Sequence, residues 1–269
     1  MAEWVTILDS DDFMAFDRLE KLLKLAVAEV HPFTVAASRV WLAAAFIVPF
    51  AVLTRREFPR GRARWLACIA VGTFSLALPV TLLTWAQQTV PSGVVGVYMA
   101  VIPLLVLPLA HVFSPGEPMT ARKLAGFLVG FAGIALLVGW ETLASIGSAD
   151  GLAQLACLGA ALSYAVGSIM TRRTPKTDPI ALSALGFAFG GVLIAPFALA
   201  AWPQEVPSTQ TVAILIGIGI VSSGLAMILR VAVISSVGSV FMSGVGYLVP
   251  ITALAVGVVF GGETVTPAD

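Results

Sequence analysis

Residues 31–52, HPFTVAASRVWLAAAFIVPFAV, return as residues 178–199, DPIALSALGFAFGGVLIAPFAL. At an offset of 147, without a gap, Pro32 falls on Pro179, Ile47 on Ile194, and Pro49-Phe50-Ala51 on Pro196-Phe197-Ala198. The register holds through Gly72/Gly219, Ser75/Ser222, Val90/Val237, Ser92/Ser239, Pro103/Pro250 and Val112-Phe113/Val259-Phe260. One deletion later, Glu117 meets Glu263 and Thr120 meets Thr266. An apolar alphabet gives isolated matches by chance, but one offset held over about eighty residues with paired prolines marks an internal duplication. In a membrane protein, two similar halves point to a carrier that rocks about a central site.

The composition places the chain in a bilayer. Of 269 residues, 58% are hydrophobic and 11% charged, against about a quarter charged in a soluble domain. Net charge is zero, which gives no case for a nucleic-acid partner. Cys68 and Cys157 lie inside apolar runs and read as helix-contact residues rather than a disulfide or metal pair. His31 and His111 stand far apart without a carboxylate at ligand spacing. Neither a metal nor a cofactor is expected.

A membrane helix needs about 20 apolar residues. Eight runs qualify, roughly 33–53, 65–87, 92–113, 123–140, 152–170, 180–202, 211–233 and 240–260. The loop after the first carries Arg55, Arg56, Arg60, Arg62 and Arg64. Alternate loops carry Arg122 and Lys123, then Arg172, Arg173 and Lys176, with Arg230 assigned to a helix end on the same side. Loops 88–91, 141–150 and 203–210 contain no Lys or Arg. By the positive-inside rule the arginine-rich set is cytoplasmic. Trp85, Trp140 and Trp202 fall at outward helix ends, where aromatic belts form. Engineered cysteines at Ser145 and Ser208 are then expected to react from outside, and those at Gly61 and Thr177 not.

This topology inverts the second copy relative to the first. It implies five helices per half, of which the chain supplies four and four. The stretch that would pair with 152–170 lies at 5–23 and contains Asp9, Asp11, Asp12, Asp17, Arg18, Glu20 and Lys21. It cannot span, since each central charge costs about 2.5–3.5 kcal/mol on insertion. One helix is therefore expected to be missing from each terminus. The division expected is a non-spanning segment 1–30, a first incomplete repeat 31–147 and a second 148–269. Leu19, Leu22, Leu23 and Val27 share one face, so an amphipathic surface helix is expected from about Asp12 to Val30.

PFTVAASRVWLAAAFIVPF and AQQTVPSGVVGVYMAVIPLLVLPLAHVFSPGEPMTARKLAGFLVGFAGIALLVG, followed in the second half by GLAQLACLGAALSYAVGSIMTRR and VGYLVPITALAVGVVFGGETVT, carry a family resemblance. Over about residues 30–266 the chain resembles the EamA-like branch of the drug/metabolite transporter superfamily, ten-helix carriers built from two five-helix repeats. The resemblance implies an all-α polytopic membrane protein, an inverted-repeat helical bundle of DMT/EamA type, here with about eight transmembrane helices. It also implies a permease and an arginine retained at the position of Arg39.

Arg39 is the leading candidate for a substrate contact. It lies six residues past Phe33, about 9 Å into the membrane at 1.5 Å per residue. Its repeat counterpart is Gly186, so the architecture does not require the charge. Intramembrane charges usually face a bundle interior and mark a substrate path; the competing role is a guanidinium that snorkels or ties down carbonyls. Trp41, Gln87, Tyr98, Ser163 and Tyr164 are the other cavity candidates, with Thr84, Gln88 and Ser168 behind them. Each could equally be interhelical glue. Pro49, Pro103, Pro196 and Pro250, paired between the halves, are candidate hinges. Gly126-x-x-x-Gly130 permits close helix approach, within the chain or in a homodimer.

No span contains Asp or Glu away from its ends. That weakens a proton-driven mechanism, which relays through buried carboxylates, and favours facilitated export or exchange. A substrate carboxylate would supply the counter-charge for Arg39, pointing to amino acids or small organic acids. An intramembrane enzyme is disfavoured, because no carboxylate pair, His cluster or Ser–His spacing exists inside the spans. The expected location is the plasma membrane, the inner membrane of a bacterium. The alternative is a truncated, non-transporting paralogue or membrane scaffold.

Overall fold

The computed structural model describes residues 30–139, 143, 144, 146, 150–174, 177–202 and 207–247. Among them the regular structure is helical: α1 (Pro32–Leu53), α2 (Arg62–Ala86), α3 (Ser92–Ala100 continued by Ile102–Phe113), α4 (Ala121–Val138), α5 (Gly151–Arg173), α6 (Pro179–Ala200), α7 (Thr209–Ser236) and α8 (Ser239–Val245). Six described helices are long and apolar enough to cross a membrane. α4 adds eighteen residues, and the eighth expected span, 240–260, is described only as far as Tyr247. The N-terminal segment, including the expected surface helix, lies outside the described residues apart from Val30. So do Trp140, Ser145 and Pro250.

The helix starts follow from their capping residues. Asp178 accepts from the amides of Ile180 and Ala181 at 2.9 and 3.1 Å, Asp150 from Leu152 at 3.0 Å, Ser208 from Thr211 at 3.2 Å and Thr120 from Lys123 at 3.3 Å. Each satisfies amides that a helix N-terminus leaves open, which matters most where little water reaches them. The exterior is apolar: Leu136 is 82% exposed, Leu53 81% and Val129 73%. Such a surface belongs against lipid rather than water.

The two halves meet about a pseudo-twofold axis. α1 packs most extensively against its own repeat copy, α6. They run antiparallel: Thr34 at the start of α1 donates to the Ala201 carbonyl beyond the end of α6 at 2.6 Å. At the opposite end Arg56 pairs with Asp178 at 3.4 Å. Close contacts repeat across the axis. A Cβ on Gly72 would stand 2.7 Å from the Gly186 carbonyl oxygen, and the equivalent pair brings Gly219 onto Leu42 and the Arg39 carbonyl. Tyr247 donates to the carbonyl of its own counterpart, Ala100, at 2.9 Å.

Both halves also break their helices at one place. α2 widens into a π-turn at Thr73–Ala77 and α7 at Ile218–Leu225, and the offset of 147 lays the first inside the second. π-turns frequently occur at functional sites. The candidate proline hinges lie elsewhere. Pro49 and Pro196 sit on exposed faces near the ends of α1 and α6, which run through them unbroken. Pro103 does stand beside an interruption, at Val101 within α3.

A second constellation joins helix ends on the side of the arginine-rich 55–64 loop. Glu117, 6% exposed, accepts from the Ser239 amide at 3.1 Å, the Ser239 hydroxyl at 2.9 Å and the Val240 amide at 2.8 Å. It also pairs with Arg172 Nε at 3.2 Å. Arg172 Nη1 in turn donates to the Ser235 and Ile234 carbonyls at 2.8 and 3.3 Å. One carboxylate and one guanidinium thus tie the start of α8, the ends of α5 and α7 and the α3–α4 loop together.

The topology has a direct check. Gly61 has φ of 93°, which a cysteine adopts poorly, and Ser208 caps α7, so Arg60 and Gln210 are the cleaner labelling positions. A cysteine at Gln210 is expected to react with an impermeant maleimide on intact cells, and one at Arg60 only after permeabilisation. The reverse pattern would overturn the orientation.

Candidate functional site: a cavity on the pseudo-twofold axis

Where α1, α2, α5, α6 and α7 converge they enclose a cavity of about 330 Å³, within the range of small-ligand sites. Its polar lining comes from Arg39, Ser75, Thr84, Gln87, Tyr164, Ser223 and Arg230. Repeat partners line it together: Val40 with Phe187, Leu76 with Ser223, Val80 with Met227 and Leu83 with Arg230. The cavity therefore straddles the axis relating the halves. Its chemistry does not share the symmetry, since Arg39 is matched by Gly186 and Arg230 by Leu83.

Among the described residues, no acid holds either arginine. Arg39 Nε donates to Ser223 Oγ at 3.2 Å. Arg230 Nη2 donates to Ser168 Oγ at 2.9 Å, and its guanidinium carbon stands 5.4 Å from the centre of the Tyr164 ring, a cation–π distance. Tyr164 lines the cavity together with both guanidiniums. Among the described residues the acids are Glu57, Glu117, Asp150 and Asp178, all in loops or helix caps, and none lines the cavity. Arginine stays charged under any physiological condition, so the cavity carries two positive charges.

The structure sorts the sequence candidates by whether they face this space. Arg39, Gln87, Tyr164 and Thr84 line it. Trp41 does not: its indole Nε1 donates to the Gly191 carbonyl at 3.0 Å, binding α1 to α6. Tyr98 donates to Gln154 Oε1 at 2.8 Å and joins α3 to α5. Ser163 donates to the Phe74 carbonyl at 2.9 Å, inside the π-turn. That widened turn displaces carbonyls from the α-helical ladder, and a hydroxyl from α5 satisfies one of them. Gly130 packs against the Tyr247 ring, so that glycine serves contact within the chain. Trp41→Phe is expected to cost about 1 kcal/mol of stability from the lost hydrogen bond while sparing substrate affinity, as thermal unfolding and binding of the purified variant would register.

Arg230 was missed, and its assignment to a cytoplasmic helix end is corrected. It lies inside α7, six residues before Ser236, between Leu229 and Val231. The available signal was its position in an apolar run opposite Leu83. The expected cytoplasmic side then rests on the Arg55–Arg64 loop, Arg122, Lys123, Arg172 and Arg173.

The model of the EamA-like transporter family matches the chain twice, over residues 21–139 and 151–269. The chain belongs to the EamA-like transporter family. Two matches in tandem agree with the duplication read from the 147-residue offset. The family member is 24% identical to the uncharacterized transporter YoaV of Bacillus subtilis (strain 168), over 87% of this chain and 81% of that one. It is also 24% identical to the uncharacterized inner membrane transporter YedA of Escherichia coli (strain K12), over 92% and 80%. A WAT1-related chloroplastic protein of Arabidopsis thaliana is 29% identical over 71% of this chain and 46% of its own length. A crystal structure at 20% sequence identity superimposes with a TM-score of 0.72, covering 92% of this chain and 86% of that one. At that identity the likeness is one of fold.

Proposed function

We propose that this transporter exports or exchanges small anionic metabolites, amino acids or organic acids, across a bacterial inner membrane by alternating access. The carrying observation is the cavity on the pseudo-twofold axis, lined by Arg39 and Arg230 and, among the described residues, by no acidic one. Carriers with inverted repeats bind near the midplane, where the halves meet, and expose that point to each side in turn. The matched π-turns in α2 and α7 both contribute lining residues, Ser75 and Ser223. A bend there would reshape the cavity from either half. The inner-membrane location draws support from the name of the Escherichia coli relative and from the arginine-rich loop at residues 55–64.

Counterflow in proteoliposomes tests the reading. Vesicles loaded with unlabelled amino acids or organic acids are expected to accumulate the labelled compound above protein-free vesicles, and to lose it when the interior is empty. No exchange of any such anion or zwitterion would contradict it and leave a non-transporting membrane protein.

A further inference from the structure

Arg39 and Arg230 approach the cavity from opposite sides of the membrane's middle. Arg39 lies seven residues beyond Pro32, about 10 Å along α1 from its outward end. Arg230 lies six residues before Ser236, about 9 Å from the inward end of α7. Both line one cavity of about 330 Å³ together with Tyr164 of α5, whose ring centre stands 5.4 Å from the Arg230 guanidinium carbon. Their protein partners are hydroxyls and an aromatic face. A monoanion neutralises one guanidinium and leaves the other unpaired in a poorly solvated site, the costly arrangement for buried charge. A zwitterion brings no net charge and presents its ammonium to an arginine-lined wall.

We infer that the cavity selects a two-headed dianion, a short dicarboxylate with one group on Arg39 and the other on Arg230. This rests on the reading of the cavity as the substrate site. Guanidiniums suit the task because each holds a carboxylate through paired N–H donors. The apolar lining, Leu76, Val80, Leu83 and Phe187 among it, would enclose the hydrocarbon between the heads. Chain length then becomes a specificity element, set by the gap between two fixed cations.

The test is radioligand binding to the full chain in nanodiscs, with succinate, propionate, alanine and inorganic phosphate as probes. Succinate is expected to bind at least about tenfold more tightly than any of the others, the loss that accompanies one missing charge-assisted pair. Arg230→Leu, which copies Leu83 of the other half, is expected to weaken succinate by about tenfold and to change propionate by less than about twofold. Arg230→Gln repeats the measurement with a polar side chain and decides the point if the leucine variant does not accumulate. Propionate or phosphate binding as tightly as succinate would overturn the two-headed ligand, as would succinate binding indifferent to Arg230. Alanine bound and exchanged in an Arg39-dependent way, with succinate ignored, would overturn the dianion and leave the carrier reading standing. Failure of all four probes to bind, together with absent counterflow, would remove both.

Discussion

Glu117→Ala is expected to destabilise the folded protein by about 3–5 kcal/mol, the cost of stripping one partner from a buried, hydrogen-bonded ion pair. Four donors converge on this carboxylate: the Ser239 amide and hydroxyl, the Val240 amide and Arg172. Alanine leaves the first amides of α8 without an acceptor and Arg172 without its counter-ion at a nearly closed site. Gly238, beside it, has φ of 125°, and a Cβ there would stand 3.0 Å from the Glu117 carboxylate, so the loop has no bulk with which to fill the gap. Glu117→Gln retains an acceptor for one amide while losing the charge, and is expected to fall between alanine and wild type. Thermal unfolding of the purified variants in detergent gives the ranking. An alanine variant as stable as wild type would show that the clasp contributes nothing.

The second large effect concerns Arg39. Arg39→Lys is expected to insert and fold but to lose transport by about tenfold or more, because an ammonium cannot hold a carboxylate through two parallel N–H donors. Arg39→Gly is expected to fold as well: Gly186 occupies the same place in the other half, and among the described residues the hydrogen bond lost is that to Ser223. Counterflow normalised to the amount of folded protein separates the cases. If neither variant accumulates as folded protein, Arg39 is an anchor for α1. If both transport normally, its guanidinium merely snorkels, and the anionic substrate goes with it.

The architecture was readable because two independent signals agreed. The duplication marked α1 and α6 as equivalent helices, and the structure packs them against each other, with Thr34 on Ala201 and Arg56 on Asp178. The arginine-rich loops supply the expected orientation, which the labelling of Arg60→Cys and Gln210→Cys tests. The cavity was half readable. A charge within an apolar run exposes itself, which is how Arg39 came forward; Arg230 obeys the same rule but stands near enough to the end of its run to pass for an interfacial residue. Trp41, Tyr98 and Ser163 show the limit in the other direction. A polar side chain in a span has to satisfy its donor, and whether a carbonyl or a cavity does so depends on a rotation of the helix that the apolar pattern leaves open. The π-turns left no periodic trace either, since one extra residue per turn changes hydrogen bonding without changing composition. Gly72/Gly219 and Ser75/Ser222 were the clue: they fall at close packing and at the widened turns.

The central claim is that one cavity on the axis faces each side of the membrane in turn. Ala226 lines it on α7, and the native Cys68 and Cys157 are buried, so a cysteine at Ala226 reports on it against a quiet background. Labelling with a membrane-impermeant thiol reagent, applied to right-side-out and to inside-out vesicles, is predicted to modify Ala226→Cys from both faces, with a transported anion slowing the reaction on each. Modification from one face alone, unchanged by any anion, would contradict the account.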